Sequence, residues 1–215
     1  MSDFLCFDAN VYLCYFKQEG KEWLGEVNSF FDNMGKVKQD VVINKRTRNF
    51  VRSYITSIDT ILSSDEAKKD LQKAAKTGDK RALEKIRRII DAVDEKQFEK
   101  IIEGAIYFYG KGRYAYAIYE GISMNLIGLI DAGKIKFLDC GIKSSKFISE
   151  LAGIDPEDAV LLSEVNAIKH EHYASGKFYT EDEHFFMPKT DPFAGMGFHI
   201  LHIKKMKPAE IFTSP

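Results

Sequence analysis

The stretch "FLCFDANVYL", residues 4–13, decides the fold of this chain. Its first four residues are apolar and predict a buried strand, and Asp8 then interrupts the hydrophobic run before it resumes at Val11. Burying an unpaired charge is costly. Asp8 is therefore expected at the end of the strand, where its carboxylate has a partner or a ligand.

The composition predicts a globular protein with a sizeable core. The chain has 215 residues, of which 45% are hydrophobic, with sixteen Phe. No apolar run approaches the roughly 20 residues that are needed to cross a bilayer, and no secretory signal pattern is visible. The three cysteines form no CxxC pair, so buried reduced thiols are expected. We therefore expect a cytoplasmic protein with no membrane partner.

The charge balance does not by itself indicate a nucleic-acid binder, because the formal net charge is −1. A polyanion would have to meet a local basic patch. The candidates lie close together with no acid among them: Lys45, Arg46, Arg48 and Arg52. These cations could bind a phosphate backbone. The alternative is that they form a surface that faces solvent or another subunit.

Strand and helix patterns alternate along most of the chain. Predicted strands lie at residues 3–8, 36–44, 134–140, 177–180 and 197–203. A short helix is predicted at 143–151, the helix before the fourth strand is expected to end at Gly176, and Asn44 could cap the helix after the second strand. Helices between strands indicate an α/β fold with a parallel sheet of four to five strands and helices on both faces. Residues 56–112 differ, because they are charged, free of proline and rich in helix-forming residues. Ser63 and Asp94 have the spacing of helix caps there, and Gly78 suits the end of a helix. We interpret them as a helical insertion into a domain formed by residues 1–55 and 113–215.

Carboxylates occur where a site on such a sheet would form. Asp8 ends the first strand, Asp182 follows the fourth strand by two residues, and Asp158 lies in the first turn of the helix before that strand. Sites in open α/β sheets form beyond the carboxyl ends of the strands, so the three face one crevice if strands one and four are neighbours. Clustered anions need a cation, and hard oxygen ligands suit Mg²⁺ or Mn²⁺. Plain roles as caps or turn residues are the alternative.

Four segments resemble the PIN-domain nuclease family. "FDANVYL" resembles its first strand, which ends in Asp-x-Asn, and "GIDPEDAVLLSEVNAI" resembles its helix with an Asp-Ala step at Asp158. "FYTEDEHF" resembles its Thr-x-Asp-x-x-Phe segment at Thr180 and Asp182, and "KMKPAEIF" resembles its last strand and tail. The resemblance covers roughly residues 3–50 and 114–212, and it implies a PIN-like sheet.

The resemblance also implies an activity, which is metal-dependent hydrolysis of phosphodiester bonds in single-stranded RNA by an endoribonuclease. In such enzymes, two Mg²⁺ or Mn²⁺ ions held by carboxylates activate water and stabilise the leaving oxygen. The implied ligands are Asp8, Asp158 and Asp182. Asn10 and Thr180 would orient these ligands or the water.

One position departs from the family pattern. PIN domains usually carry a glutamate on the helix after the second strand, but "NKRTRNFVRSY" contains no acid, and Asn49 stands near the expected place. Glu120, in "IYEGI", is the substitute that we predict as the fourth ligand. The alternative is a catalytically weakened PIN-like protein that binds RNA or acts as a scaffold. Partners other than RNA stay open: a homodimer, or an inhibitor protein if the chain is a toxin.

Overall fold

The computed structural model describes residues 3–18, 22–90, 94–141, 156–182, 185, 197 and 199–206. The short helix predicted at 143–151 and most of the motif at 205–212 lie outside this part of the chain. Within it, no helix combines the length and the hydropathy that crossing a membrane requires.

Contacts divide the chain into two compact units. The first comprises Met1–Arg48 and Leu126–Pro215, and the second comprises Asn49–Asn125. The predicted helical insertion, 56–112, falls inside the second unit.

The first unit contains a five-stranded sheet that is parallel throughout. Its strands are β1 (Asp3–Phe7), β2 (Asp40–Asn44), β3 (Ile135–Leu138), β4 (Ser175–Thr180) and β5 (His199–His202). They pair side by side in the order β3-β2-β1-β4-β5. The predicted parallel α/β sheet is therefore confirmed, and the first and fourth strands are neighbours.

Each strand has a boundary that differs from the predicted one, by one to four residues, and two of the differences occur at the starts of β2 and β4. β2 begins at Asp40 rather than at residue 36, because a 3-10 turn occupies Met34–Lys36. β4 begins at Ser175, so Gly176 pairs within the sheet instead of ending the preceding helix.

Seven α-helices are present in the described residues. They are α1 (Ala9–Lys17), α2 (Leu24–Asp32), α3 (Lys45–Ser63), α4 (Asp65–Thr77), α5 (Lys80–Arg87), α6 (Glu95–Asp131) and α7 (Pro156–His172). α6 is interrupted at Gly112, whose φ of 79° is a backbone conformation that glycine adopts without strain. This break lies where the sequence predicted the exit from the insertion.

Helices cover both faces of the sheet in the first unit. Successive residues of a strand point to opposite faces, so apolar strand residues occur on both. On one face, Phe4 and Cys6 belong to a buried cluster with the α7 residues Leu162 and Val165. On the other face, the Phe7 ring packs against aromatic rings of α1 and α2, which are those of Tyr12, Phe30 and Phe31. The even-numbered residues of β1 thus point toward α7.

The second unit is helical, and local signals set its helix ends. The backbone amide of Gln97 donates to Asp94 Oδ1 (2.8 Å), as predicted for a cap. Gly78 ends α4 in the left-handed region, also as predicted. The predicted cap at Ser63 is wrong, because Ser64 caps α4 through its hydroxyl and Ser63 is the last residue of α3.

Replacing Gly176 with alanine tests the close approach of β4 to β1. A Cβ at this position would lie 2.2 Å from the Phe4 ring, whereas a Cβ at Gly25 in α2 meets no atom within 4 Å. We expect Gly176→Ala to lower the free energy of unfolding by about 1–3 kcal/mol, the usual cost of overpacking. Gly25→Ala should leave it unchanged or raise it by up to about 1 kcal/mol. Urea denaturation measures both, and equal stability of the two variants would contradict the packing.

Candidate functional site at the carboxyl edge of the sheet

The strand order creates a crevice between β1 and β4. From β1 the chain adds β2 and β3 on one side, and it then crosses to add β4 and β5 on the other side. The connection from β1 therefore leads to β2, and the connection from β4 leads to β5 in the opposite direction. Ligands of open α/β sheets bind at such switch points. Phe7 pairs with Tyr179 in register, so the residues that follow the two strands emerge side by side.

Asp8 is buried at this switch point, with 6% of its surface exposed. Its Oδ2 accepts hydrogen bonds from Thr180 Oγ1 (2.9 Å) and from Asn10 Nδ2 (3.3 Å). Although Asp8 occupies the N-cap position of α1, its side chain makes no capping hydrogen bond. Its carboxylate is held toward β4, which is the placement that a site residue needs.

The Thr180 hydroxyl connects Asp8 to Asp182. Thr180 is fully buried, and its Oγ1 accepts a hydrogen bond from the Asp182 backbone amide (2.9 Å) while it donates to Asp8. The Thr180 hydroxyl has one proton, which it donates to Asp8, and its oxygen accepts the hydrogen bond from the amide of Asp182. Asp182, which is half-buried, is thereby held beside the end of β1.

Helix α7 runs from the carboxyl edge of the sheet toward the amino edge. Near its start, Arg46, which follows β2 closely, donates from Nη1 to the carbonyl of Glu157 (3.4 Å). Just past its end, the Tyr173 hydroxyl donates to Asp40 at the beginning of β2 (3.0 Å). Asp158, half-buried in the first turn of α7, therefore lies at the edge where β1 ends.

Glu164 is a carboxylate at this site that the sequence did not indicate. It lies on α7 with 9% of its surface exposed, and its Oε2 accepts the backbone amide of Arg46 (3.3 Å) at the start of α3. Burial raises the pKa of Glu164, while the Arg46 amide acts in the opposite direction. Burial also raises the pKa of Cys6 to about 12, and the charges of Asp8 and Glu164 add to this rise. Both carboxylates therefore act on the same side of β1.

Asn44 adds a polar group at the end of β2. Its Oδ1 caps α3 by accepting the Thr47 amide (2.8 Å), which confirms the predicted cap. Asn44 is fully buried, and its Nδ2 has no hydrogen-bond partner among the described residues. It follows Val42 on the face that α7 covers, since alternate strand residues share a face. A buried donor of this kind is normally satisfied by a water or a ligand oxygen.

The predicted RNA-contacting cations of the first unit have partners within the protein. Lys45 forms a salt bridge with Asp139 (2.9 Å), and the Arg48 guanidinium lies 4.2 Å from the centre of the Phe137 ring. Arg46 contacts α7 as described above. Arg52 lies in the second unit and is half-buried. Contact of these residues with RNA stays a prediction.

Glu120 lies in the second unit, on α6. Tyr116, one helical turn before it, donates its hydroxyl to Asp59 on α3 (3.2 Å). Burial raises the pKa of Tyr116, and the charges of Asp59 and Glu120 add to this rise. Glu120 thus belongs to a small polar cluster of the helical unit, and its role as a metal ligand stays a prediction.

The carboxylates at the carboxyl edge do not form a tight cluster. In the described part of the chain, the four carboxylates are those of Asp8, Asp158, Glu164 and Asp182. No three of them have oxygens that all lie within 4.8 Å of one another. Like charges repel unless a cation lies between them. A shared ion would therefore have to draw these side chains together.

Removing the Thr180 hydroxyl tests the link between Asp8 and Asp182. Valine has nearly the same shape but neither donates nor accepts, so Thr180→Val leaves a buried carboxylate with one donor fewer. We expect a loss of about 1–3 kcal/mol in the free energy of unfolding. Thr77→Val is the matched control, because its exposed hydroxyl bonds only within α4, and it should change stability by less than about 0.5 kcal/mol. Thermal or urea denaturation of both variants decides, and a Thr180→Val variant as stable as the control would contradict the link.

Comparison with protein-family models, with curated proteins and with solved structures finds no match to this chain. The resemblance to PIN-domain nucleases therefore rests on the four segments of sequence quoted above, in a fold of the class that they imply.

Proposed function

We propose that the protein is a metal-dependent endonuclease that hydrolyses phosphodiester bonds, with single-stranded RNA as its substrate. One observation carries the proposal: the buried Asp8 carboxylate and Asp182 are joined through the Thr180 hydroxyl at the switch point of a parallel sheet. Burying a carboxylate is costly unless it is paired and hydrogen-bonded, and a bound cation is a partner that these oxygens can take.

The donor set at this edge fits Mg²⁺ or Mn²⁺. The side chains there offer carboxylate oxygens, which are the ligands that these hard cations prefer. Asp8, Asp158 and Asp182 would hold the metal, with Glu164 or Glu120 as the fourth acid. When bound, such ions lower the pKa of a coordinated water and stabilise the leaving oxygen of the ester.

The protein's own groups would position the ligands and the substrate. Thr180 and Asn10 fix the Asp8 carboxylate through its Oδ2 atom. The buried Nδ2 of Asn44 offers a donor to a phosphate oxygen or to a water. Arg46 stands in the first turn of α3, where the backbone amides and the helix dipole favour an anion. The phosphodiester would thus meet donor groups from β2 and α3 and acids from α7 and from the ends of β1 and β4.

A second candidate function is that of a PIN-like RNA-binding or scaffold protein without appreciable cleavage. The observation that favours it is the spacing of the four carboxylates, no three of which come within 4.8 Å. In that case RNA would still bind, but Mn²⁺ would neither support cleavage nor raise the melting temperature.

Loss of a single carboxylate distinguishes the two functions. With end-labelled single-stranded RNA, we expect cleavage in Mn²⁺, none in chelator, and a loss of about 100-fold or more in Asp8→Asn and in Asp182→Asn. Asp32→Asn is the control, because Asp32 is exposed at the end of α2. RNA binding measured by fluorescence anisotropy shows whether the variants still bind substrate. Binding by the wild type without metal-dependent cleavage would establish the second function instead.

A matched pair of variants identifies the fourth acid. We expect Glu164→Gln to weaken Mn²⁺ binding by about 10-fold or more and to reduce cleavage, because Glu164 is a buried carboxylate held beside the start of α3, directly after β2. Glu120→Gln should then leave Mn²⁺ affinity unchanged. Calorimetric titration of Mn²⁺ into both variants measures this difference. The opposite pattern would assign the role to Glu120, as the sequence predicted.

A further inference from the structure

A second group of metal-binding side chains lies where α7 ends. It comprises Cys140, which follows β3, together with Glu171 and His172 in the last turn of α7. One ligand atom from each residue lies within 4.8 Å of the other two. This group shares no residue with the candidate nuclease site, and along α7 it lies about 12 Å from Glu164 at 1.5 Å per residue.

The types of ligand in this group differ from those at the carboxyl edge. A thiolate and an imidazole are soft or borderline ligands, which favour zinc over Mg²⁺ or Mn²⁺. One cysteine, one histidine and one carboxylate are each established zinc ligands, and three protein ligands leave a fourth position for water. With a thiolate, a carboxylate and a neutral imidazole, the charge of the ligands balances that of Zn²⁺.

The distance between two of the three ligand atoms is close to that in a tetrahedral zinc centre, and the third atom lies within 4.8 Å of both. Zinc bonds of about 2.0–2.3 Å place neighbouring ligand atoms roughly 3.3–3.6 Å apart. His172 Nε2 lies 3.9 Å from Glu171 Oε2, and the side chains of these two residues are 44% and 28% exposed. Because both side chains reach solvent, small rotations suffice to close the remaining gap.

The thiol is placed to anchor such a centre. Cys140 is 7% exposed and belongs to the same buried cluster as Tyr173, the residue that follows His172. The Tyr173 hydroxyl is held by Asp40, which in turn pairs with Lys136 (2.6 Å). The sulfur is thus held in packed structure, while the side chains of Glu171 and His172 are partly exposed to solvent.

We propose that Cys140, Glu171 and His172 form a zinc site that links the segment after β3 to the last turn of α7. Binding would release the thiol proton of Cys140 to solvent, because the thiolate is the form that ligates metal. The site does not rest on the proposed nuclease function, and Asp8→Asn should leave it intact.

Cobalt substitution tests this proposal, because Co²⁺ bound to a thiolate gives a near-ultraviolet charge-transfer band that Co²⁺ bound to oxygen ligands lacks. In the chelator-treated full chain, we expect one equivalent of Co²⁺ to produce the band and one equivalent of Zn²⁺ to abolish it. The band should be lost in Cys140→Ser and kept in Cys14→Ser, which is the control because Cys14 is a partly exposed thiol outside this group.

The histidine supplies a test that does not alter the buried core. His172→Ala should weaken Zn²⁺ binding by about 10-fold or more, whereas His170→Ala, an exposed residue on the same helix, should not change it. Three results would each overturn the proposal: no band in the wild type, a band that persists in Cys140→Ser, or equal affinity in the two histidine variants.

Discussion

The hydrogen bond from the Thr180 hydroxyl to the Asp8 carboxylate is the contact on which the candidate nuclease site depends. Asp8 is nearly removed from water, and a carboxylate in that position needs strong donors. The parallel pairing of β1 with β4 brings Thr180 to it, and the same hydroxyl takes the amide of Asp182. A residue that would be destabilising at the end of an isolated strand is thereby anchored, and two acids distant in sequence become neighbours.

Helix α7 carries two different kinds of chemistry on one packed element. It bears Asp158 in its first turn and Glu164 in its middle, which are carboxylates that we propose as ligands for Mg²⁺ or Mn²⁺. Its last turn bears Glu171 and His172, which have ligand atoms within 4.8 Å of the Cys140 sulfur. The helix can serve both places because its middle is buried against the sheet, while its two ends emerge at opposite edges.

Part of the candidate site could be predicted from the order of strands and helices alone, without knowledge of how they pack. Asp8 and Asp182 were indicated because carboxylates that follow parallel strands share one edge. Glu164 was missed because it stands in an apolar run, and its placement has a reason only once the amide of Arg46 approaches from α3. Glu120 was chosen to replace a missing acid near Asn49, but spacing along the chain does not indicate which carboxylates meet in space.

The sequence by itself determined the local features, because these depend on neighbours within a few residues. Hydrophobic periodicity determined the five strands, and short-range hydrogen bonds determined the caps at Asn44 and Asp94. Only the tertiary structure decided which side chains come together, such as Glu164 with Arg46 and Cys140 with His172. Contacts of this kind join segments far apart in the chain, and their distances follow from how helices pack on the sheet, which no local pattern encodes.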